Sequence, residues 1–280
     1  MGSSTDVLGE SPVWDHRGDA IYWIDAACGA VQRTGRDGAG FRKWSVKQRI
    51  GSLGLRRAGG AIVALMDGLY VLDFDTGALT LAADVERANL RTQFNDGKVD
   101  PFGNFVFGSM RRGDGDDGIG CMYRIDAGHR VVKLDGGFTV FNGPCFSVDG
   151  SVIYFADTMS KLIWSADYDP SQGIENKRVF ADLRGADLMP DGATVDADGC
   201  VWSAFVLSGE IGRFAPSGEF MLRLPVPVKR PTSLAFGGKD MDILFLTSSG
   251  SAPAGDPEAG GLFAIRGLGV RGIPTAFFAG

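Results

Sequence analysis

The sequence predicts an all-β fold, a six-bladed β-propeller of four-stranded antiparallel blades, on three observations. One motif recurs six times: a polar residue, a short apolar strand, a tight turn closed by Gly or Asp eight positions after the polar residue, and a second apolar strand. The copies begin at Glu10, Ser52, Asn95, Asn142, Asp191 and Thr232, about 41 to 49 residues apart, the spacing of propeller blades. The chain is also rich in glycine (42 of 280 residues), as many short strands and tight turns require, and it lacks long amphipathic helical patterns. Six blades use up the chain, so residues 1–280 are expected to form one domain whose closed ring hides its sheet edges.

Each blade follows from its local pattern. Blade one opens with Leu8 to Trp14 and continues through Ile21 to Ile24 and Val31 to Arg33. Blade two carries Gly51 to Leu55, Ile62 to Leu65 and Leu69 to Phe74, before a Thr76-Gly77 turn. Blade three begins near Gln93 and includes Phe105 to Met110, Cys121 to Ile125 and Val131 to Leu134. Blade four, the plainest copy, runs from Asn142 through the Asp149-Gly150 turn to about Phe180. Blade five spans Asp191 to Leu224, and blade six runs from Thr232 to the end, with Gly261 to Ile265 and Thr275 to Phe278 as its outer strands.

Composition narrows the function. A net charge of -6 argues against a nucleic-acid partner, which needs a basic patch. No apolar run approaches the roughly 20 residues that span a bilayer. The start, Met1 to Thr5, has no signal-peptide pattern and reads as an expression remnant. Cys28, Cys121, Cys145 and Cys200 are widely spaced with no Cys-x-x-Cys, which predicts free, mostly buried thiols and a cytoplasmic location. A monomer is the expected state.

Two stretches invite chemistry and are set aside. Gly113 to Gly118 is a literal G-x-G-x-x-G, but a strand follows it where a dinucleotide site needs a helix. The same Asp-rich run lacks the Glu that would close an EF-hand loop, since Ile125 stands there. It reads as a solvated loop joining the second and third strands of blade three, on the face bearing Glu10, Asn142 and Asp191, where it could act as a lid. The only histidines, His16 and His129, fall in turns at the opposite end, which leaves no Ser-His-Asp triad and no His-rich zinc site.

The repeat register supplies the remaining chemistry. First strands line the channel of a propeller, so Glu10, Ser52, Asn95, Asn142, Asp191 and Thr232 are expected to ring its mouth. Carboxylates held together away from bulk water raise each other's pKa or recruit a cation. Oxygen donors of this kind suit Ca²⁺, Mg²⁺ or Mn²⁺, with Zn²⁺ as a further option. A wet, metal-free channel is the plainer alternative.

At these residues the chain resembles the regucalcin, or gluconolactonase, family, which includes senescence marker protein and luciferin-regenerating-enzyme-like members. The resemblance lies in Gly9-Glu-Ser-Pro-Val-Trp14, Phe94-Asn-Asp-Gly-Lys-Val-Asp-Pro101 with Gly108-Ser-Met110, Asn142-Gly-Pro144, Pro190-Asp-Gly192 and the tail from Gly260 to Gly272. It implies a six-bladed propeller that hydrolyses sugar lactones with one divalent metal ion, Ca²⁺ ahead of Zn²⁺, Mg²⁺ or Mn²⁺. It implies Glu10, Asn142 and Asp191 as metal ligands and Asn95 as a substrate contact. Where the family often has an Arg two residues before that Asn, this chain has Gln93, which keeps hydrogen bonding but loses the charged fork. Arg91 is a weaker substitute, and the lid Glu of animal members is replaced by the Arg111 to Gly113 stretch beside Asp114.

The expected chemistry is metal-assisted opening of a small sugar lactone, with Asp191 orienting or deprotonating the water and Asn95 and Gln93 holding ring hydroxyls. Asp96 and Asp100 read as structural turn residues, and Trp14, Trp23, Trp164 and Trp202 as core between blades. A Ca²⁺-binding regulator without turnover, a propeller scaffold for protein partners, and a metal-dependent organophosphate or aryl-ester hydrolase are the rival readings.

Overall fold

The structure, a computed structural model, describes residues 5–251 and 256–280. The reading of Met1 to Ser4 as an expression remnant therefore lies outside the described residues. The chain forms a six-bladed β-propeller in which five sheets have four antiparallel strands, in chain order from the axis outward, and the sixth has three. The inner strands are Gly9–Asp15, Ile50–Leu55, Thr92–Val99, Phe141–Phe146, Met189–Val195 and Pro231–Gly237. Four of these six read as short, nearly unbroken apolar or small-residue runs because both of their faces are covered. The outermost strands show the opposite logic, as in Arg42–Ser45, where Trp44 alone is buried between exposed neighbours. A single 3-10 turn, Arg184–Ala186, is the only helical element among the described residues, and none of their helices is long and apolar enough to cross a membrane.

Aromatic rings fill the wedges between blades. Tyr22, Trp44 and Phe74 stack between blades one and two, with centroids 4.5 to 6.3 Å apart. Between blades two and three Phe105 stacks on Phe107, and Phe94 meets Phe107 edge to face. Trp14, Trp23 and Trp202 are buried as core, and Trp164 packs partly buried against the cluster around Phe155. Blade six closes on blade one without a shared strand. Trp14 stacks on Phe245 at 5.4 Å, Leu8 bridges Ser249, and the Thr232 hydroxyl donates to the Gly9 carbonyl at 2.6 Å.

Every inner strand breaks register with its neighbour at the ring position. The shifts fall between Glu10 and Val13, Ile50 and Ser52, Asn142 and Cys145, Pro190 and Ala193, and Pro231 and Leu234, with the blade-three shift opposite Phe94 to Gly97. Such bulges bend the strand and re-aim side chains. The residue after the ring position is left-handed in two blades, Ser11 at φ 49° and Gly143 at φ 59°. At Gly143 a Cβ would also stand 2.6 Å from the Asp191 carbonyl oxygen, so only glycine lets blades four and five close here.

The C-terminal expectation needs correction. Phe263–Ile265 is the third strand of blade six, but Thr275 to Phe278 does not become its fourth. The segment crosses the floor of the propeller instead. Phe278 donates its N–H to Leu55 and accepts from Arg57, and Ala279 donates to Gly103. Its ring is fully buried beside Ile62, Phe105 and Phe107, a dry wedge that an exposed outer edge of blade six cannot match. Above the tail the inner strands enclose an apolar cavity of about 420 Å³, lined by residues such as Leu53, Val99, Phe146 and Ile273. His16 and His129 lie on this floor, against the Phe277 and Phe278 rings. All four cysteines are free. Cys145 and Cys200 are buried, Cys121 is half-buried and Cys28 is exposed, so "mostly buried" holds for only two.

Candidate metal and substrate site

The six ring positions divide into two kinds. Ser52 and Thr232 sink into the protein, Thr232 as the closure bond and Ser52 with a buried hydroxyl that meets no partner among the described residues. The other four fall into two linked pairs, Asn95 hydrogen-bonded to Asn142, and Glu10 under the charge of Asp191. Asn95 Nδ2 donates to Asn142 Oδ1 at 2.7 Å and to the Phe141 carbonyl at 3.0 Å. Asn142 Nδ2 in turn donates to Thr158 Oγ1 at 2.8 Å, and that hydroxyl donates to the Pro190 carbonyl at 2.7 Å. Because Thr158 gives its only proton to Pro190, it must accept from Asn142, which fixes the amide with Oδ1 toward Asn95 and the mouth.

Acidic side chains crowd this end of the inner strands. The Glu10 carboxyl is pushed well above its ordinary pKa by burial, then by the charges of Asp191 and Asp96, against the Ser11 N–H and the weaker pull of the Arg49 charge. Asp191 is raised by burial and by Asp96, against the Gly192 N–H. Asp96 is itself raised by burial, offset by Lys98 and by the N–H groups of Gly97 and Gly143. Asp96 therefore has two roles. It holds the Gly143 amide at 2.9 Å, as a structural residue would, and its charge also acts on both ring carboxylates. Strict strand alternation would send Asp96 to the face opposite Asn95, and the register break around them removes that separation. Asp100 is structural: its carboxylate accepts from Phe102, Asn104 and the Tyr168 hydroxyl in the floor turn.

Gln93 is half-buried beside Asn95, and its side chain makes no hydrogen bond among the described residues. Arg91 is exposed and paired at 2.5 Å with Asp117, so it is turned to the loop after Arg111 and away from Gln93's place. That loop lies on the ring face: Arg111 also pairs with Asp117, and Thr139 donates to the Asp116 carbonyl at 3.3 Å. Among the described residues no group of three or more His, Cys, Asp or Glu side chains is gathered as a metal cluster. The donors here are two mutually repelling carboxylates and a carboxamide oxygen held in place, a hard, oxygen-only set that fits a divalent cation of the Ca²⁺ or Mg²⁺ kind.

The comparisons with known proteins agree with this architecture. The 6-deoxy-6-sulfogluconolactonase of Pseudomonas putida is 34% identical over 98% of this chain and 96% of its own length. Regucalcin of Xenopus laevis is 32% identical over 99% and 97%. Among solved structures, regucalcin from Agrobacterium tumefaciens, described as a calcium-binding protein, superposes with a TM-score of 0.92 at 28% identity, covering 98% of this chain and 95% of that one. The family model described as SMP-30/Gluconolactonase/LRE-like region matches residues 8–250. A repeat register, a ring of oxygen donors and near full-length similarity converge on one assignment: the chain belongs to the SMP-30/gluconolactonase/LRE-like family.

Proposed function

We propose that this chain, acting as one propeller domain, is a metal-dependent sugar lactonase that opens an aldonolactone to its aldonic acid. What supports the reading is the charge coupling of Glu10 with Asp191 on two inner strands, together with an Asn142 Oδ1 held in a fixed orientation beside Asn95 on two others. Relatives named for lactone hydrolysis support the same class. Glu10, Asn142 and Asp191 would hold one divalent ion, Ca²⁺ first, whose chemistry when bound is Lewis acidity toward the lactone carbonyl. The chain's own residues do the rest. Asn95 spends both amide protons inside the protein, which leaves its Oδ1 to accept a substrate hydroxyl. Gln93, two residues earlier on the same strand, offers one donor group and one acceptor. Asp191 accepts a hydrogen bond from the hydrolytic water and draws off its proton as the oxygen attacks the carbonyl carbon. Collapse of the tetrahedral intermediate breaks the bond to the ring oxygen, which takes up a proton and leaves as the aldonate hydroxyl.

The test is a pH-indicator assay over a panel of aldonolactones, after chelation and with single metals restored. Acid release that needs the metal and is lost in Asp191→Ala is the expected result. Tight Ca²⁺ binding with no acid release would instead indicate a regulator, and turnover of aryl esters or organophosphates alone would move the substrate class.

A further inference from the structure

Four arginines stand around the mouth, and they are not equivalent. Arg91 and Arg111 are both paired with Asp117. Arg112 carries a buried, unpartnered Nε, but it sits at the base of the loop, its N–H bonded to the Arg91 carbonyl. Arg49 stands closer to the chemistry. It immediately precedes the inner strand of blade two, and that strand lies directly against Asn95: a Cβ on Gly51 would be 2.5 Å from the Asn95 carbonyl oxygen and 2.6 Å from that of Phe94. Inner strands all run from mouth to floor, so Arg49, two residues before Gly51, stands level with Gln93, two residues before Asn95. The Arg49 guanidinium feels the Glu10 charge, yet no ion pair joins the two among the described residues. Its Nε is shut off from solvent and finds no acceptor among the described residues.

A buried guanidinium donor without an acceptor is costly. The neighbouring charges do not answer it. Glu10 and Asp191 are the acids that would hold a divalent ion, and Asp96 is offset by Lys98, so none of the three is free for Arg49, which unlike Arg91 and Arg111 has no carboxylate partner among the described residues. We propose that Arg49 is the anion contact of this site, so that the lactone it takes carries an ionised oxyanion group, a carboxylate or a sulfonate, away from the reacting carbonyl. A planar guanidinium fork suits either group through paired N–H donors. The inference rests on the lactonase reading, and it gives that reading a substrate class.

The experiment compares kcat/KM for a neutral aldonolactone, its 6-carboxylate and its 6-sulfonate, in the wild-type protein and in Arg49→Met and Arg49→Lys. Calorimetric binding of the three ring-opened aldonates and of Ca²⁺ runs alongside. The expected result is a preference of roughly tenfold or more for a charged lactone, lost in Arg49→Met and partly kept in Arg49→Lys, the scale of a charged hydrogen-bond pair. The two charged arms tell carboxylate from sulfonate. Equal losses for neutral and charged lactones, or no preference in the wild type, would overturn the proposal and leave the lactonase reading standing. If no lactone is opened but charged aldonates still bind through Arg49, the anion contact stands and the lactonase reading falls. Should Arg49→Met fail to fold, the ratio in Arg49→Lys decides.

Discussion

Thr158 is not a ring residue, yet it decides which atom of Asn142 faces the mouth. Thr158→Val replaces the hydroxyl by a methyl group at a site only 5% exposed. The change orphans two buried groups, Asn142 Nδ2 and the Pro190 carbonyl, whose bonds to Thr158 are 2.8 and 2.7 Å long. At ~1–3 kcal/mol for each unmet buried group, partly relieved by water entry, the stability loss is about 2–4 kcal/mol. Spread over 280 residues at ~2 cal/mol/K of unfolding entropy each, that is a fall of about 3–7 °C in Tm. The functional effect is separable from it. With Thr158 gone, the Asn142 amide is free to turn and present Nδ2, a donor, where a cation needs an oxygen. Loss of an outer partner of this kind costs roughly 10–100-fold in metal affinity. Titration calorimetry with Ca²⁺ and Mg²⁺ reads it directly, and Thr158→Ser, which keeps the hydroxyl, is expected to restore most of the affinity. If Thr158→Val lowers Tm but leaves metal affinity within about twofold, the orientation argument is wrong and Thr158 is structural only.

Asp6 and Phe278 give two further tests, neither of them at a ring position. The Asp6 carboxylate accepts from Trp23 Nε1 and Gln32 Nε2, each at 2.7 Å, and burial above all lifts its pKa from 3.8 to about 6. Because the folded value is the higher one, its contribution to stability is full below pH 4 and is lost as pH rises through 6, about 3 kcal/mol in all. Asp6→Asn can donate to the buried, unpartnered Gln32 Oε1 once that amide turns, so it is expected to flatten the Tm profile between pH 4 and 7 and to raise Tm at pH 8. A variant that tracks the wild type through this window would refute the assignment. Phe278→Ala empties the wedge between blades two and three and is expected to cost about 3–5 kcal/mol, or roughly 5–9 °C, while kcat/KM on any lactone stays within about twofold. A large loss of activity without a loss of Tm would show that the floor communicates with the mouth.

Much of this molecule was legible before folding. The eight-residue interval from polar residue to turn, repeated six times, placed every inner strand and marked Glu10, Asn95, Asn142 and Asp191 as equivalent positions of four blades. Such a register survives because each blade must hide two apolar faces, and a one-residue slip would turn them outward. Other features were closed to that reasoning. An apolar run such as Thr275 to Phe278 fits a strand pattern equally well at the edge of blade six or across the floor, and only the wedge available to Phe278 chose between them. Strand alternation likewise separated Asp96 from Asn95, whereas the bulge joined them.

The sequence by itself determined the six-bladed architecture and the set of oxygen donors, because both depend on a period written into the chain. The tertiary structure decided which donors reach the mouth, which way the Asn142 amide faces, and which arginines remain unpaired. Those depend on contacts between blades far apart in sequence, such as Thr158 with Pro190 or Gly51 with Asn95, and no local period encodes them.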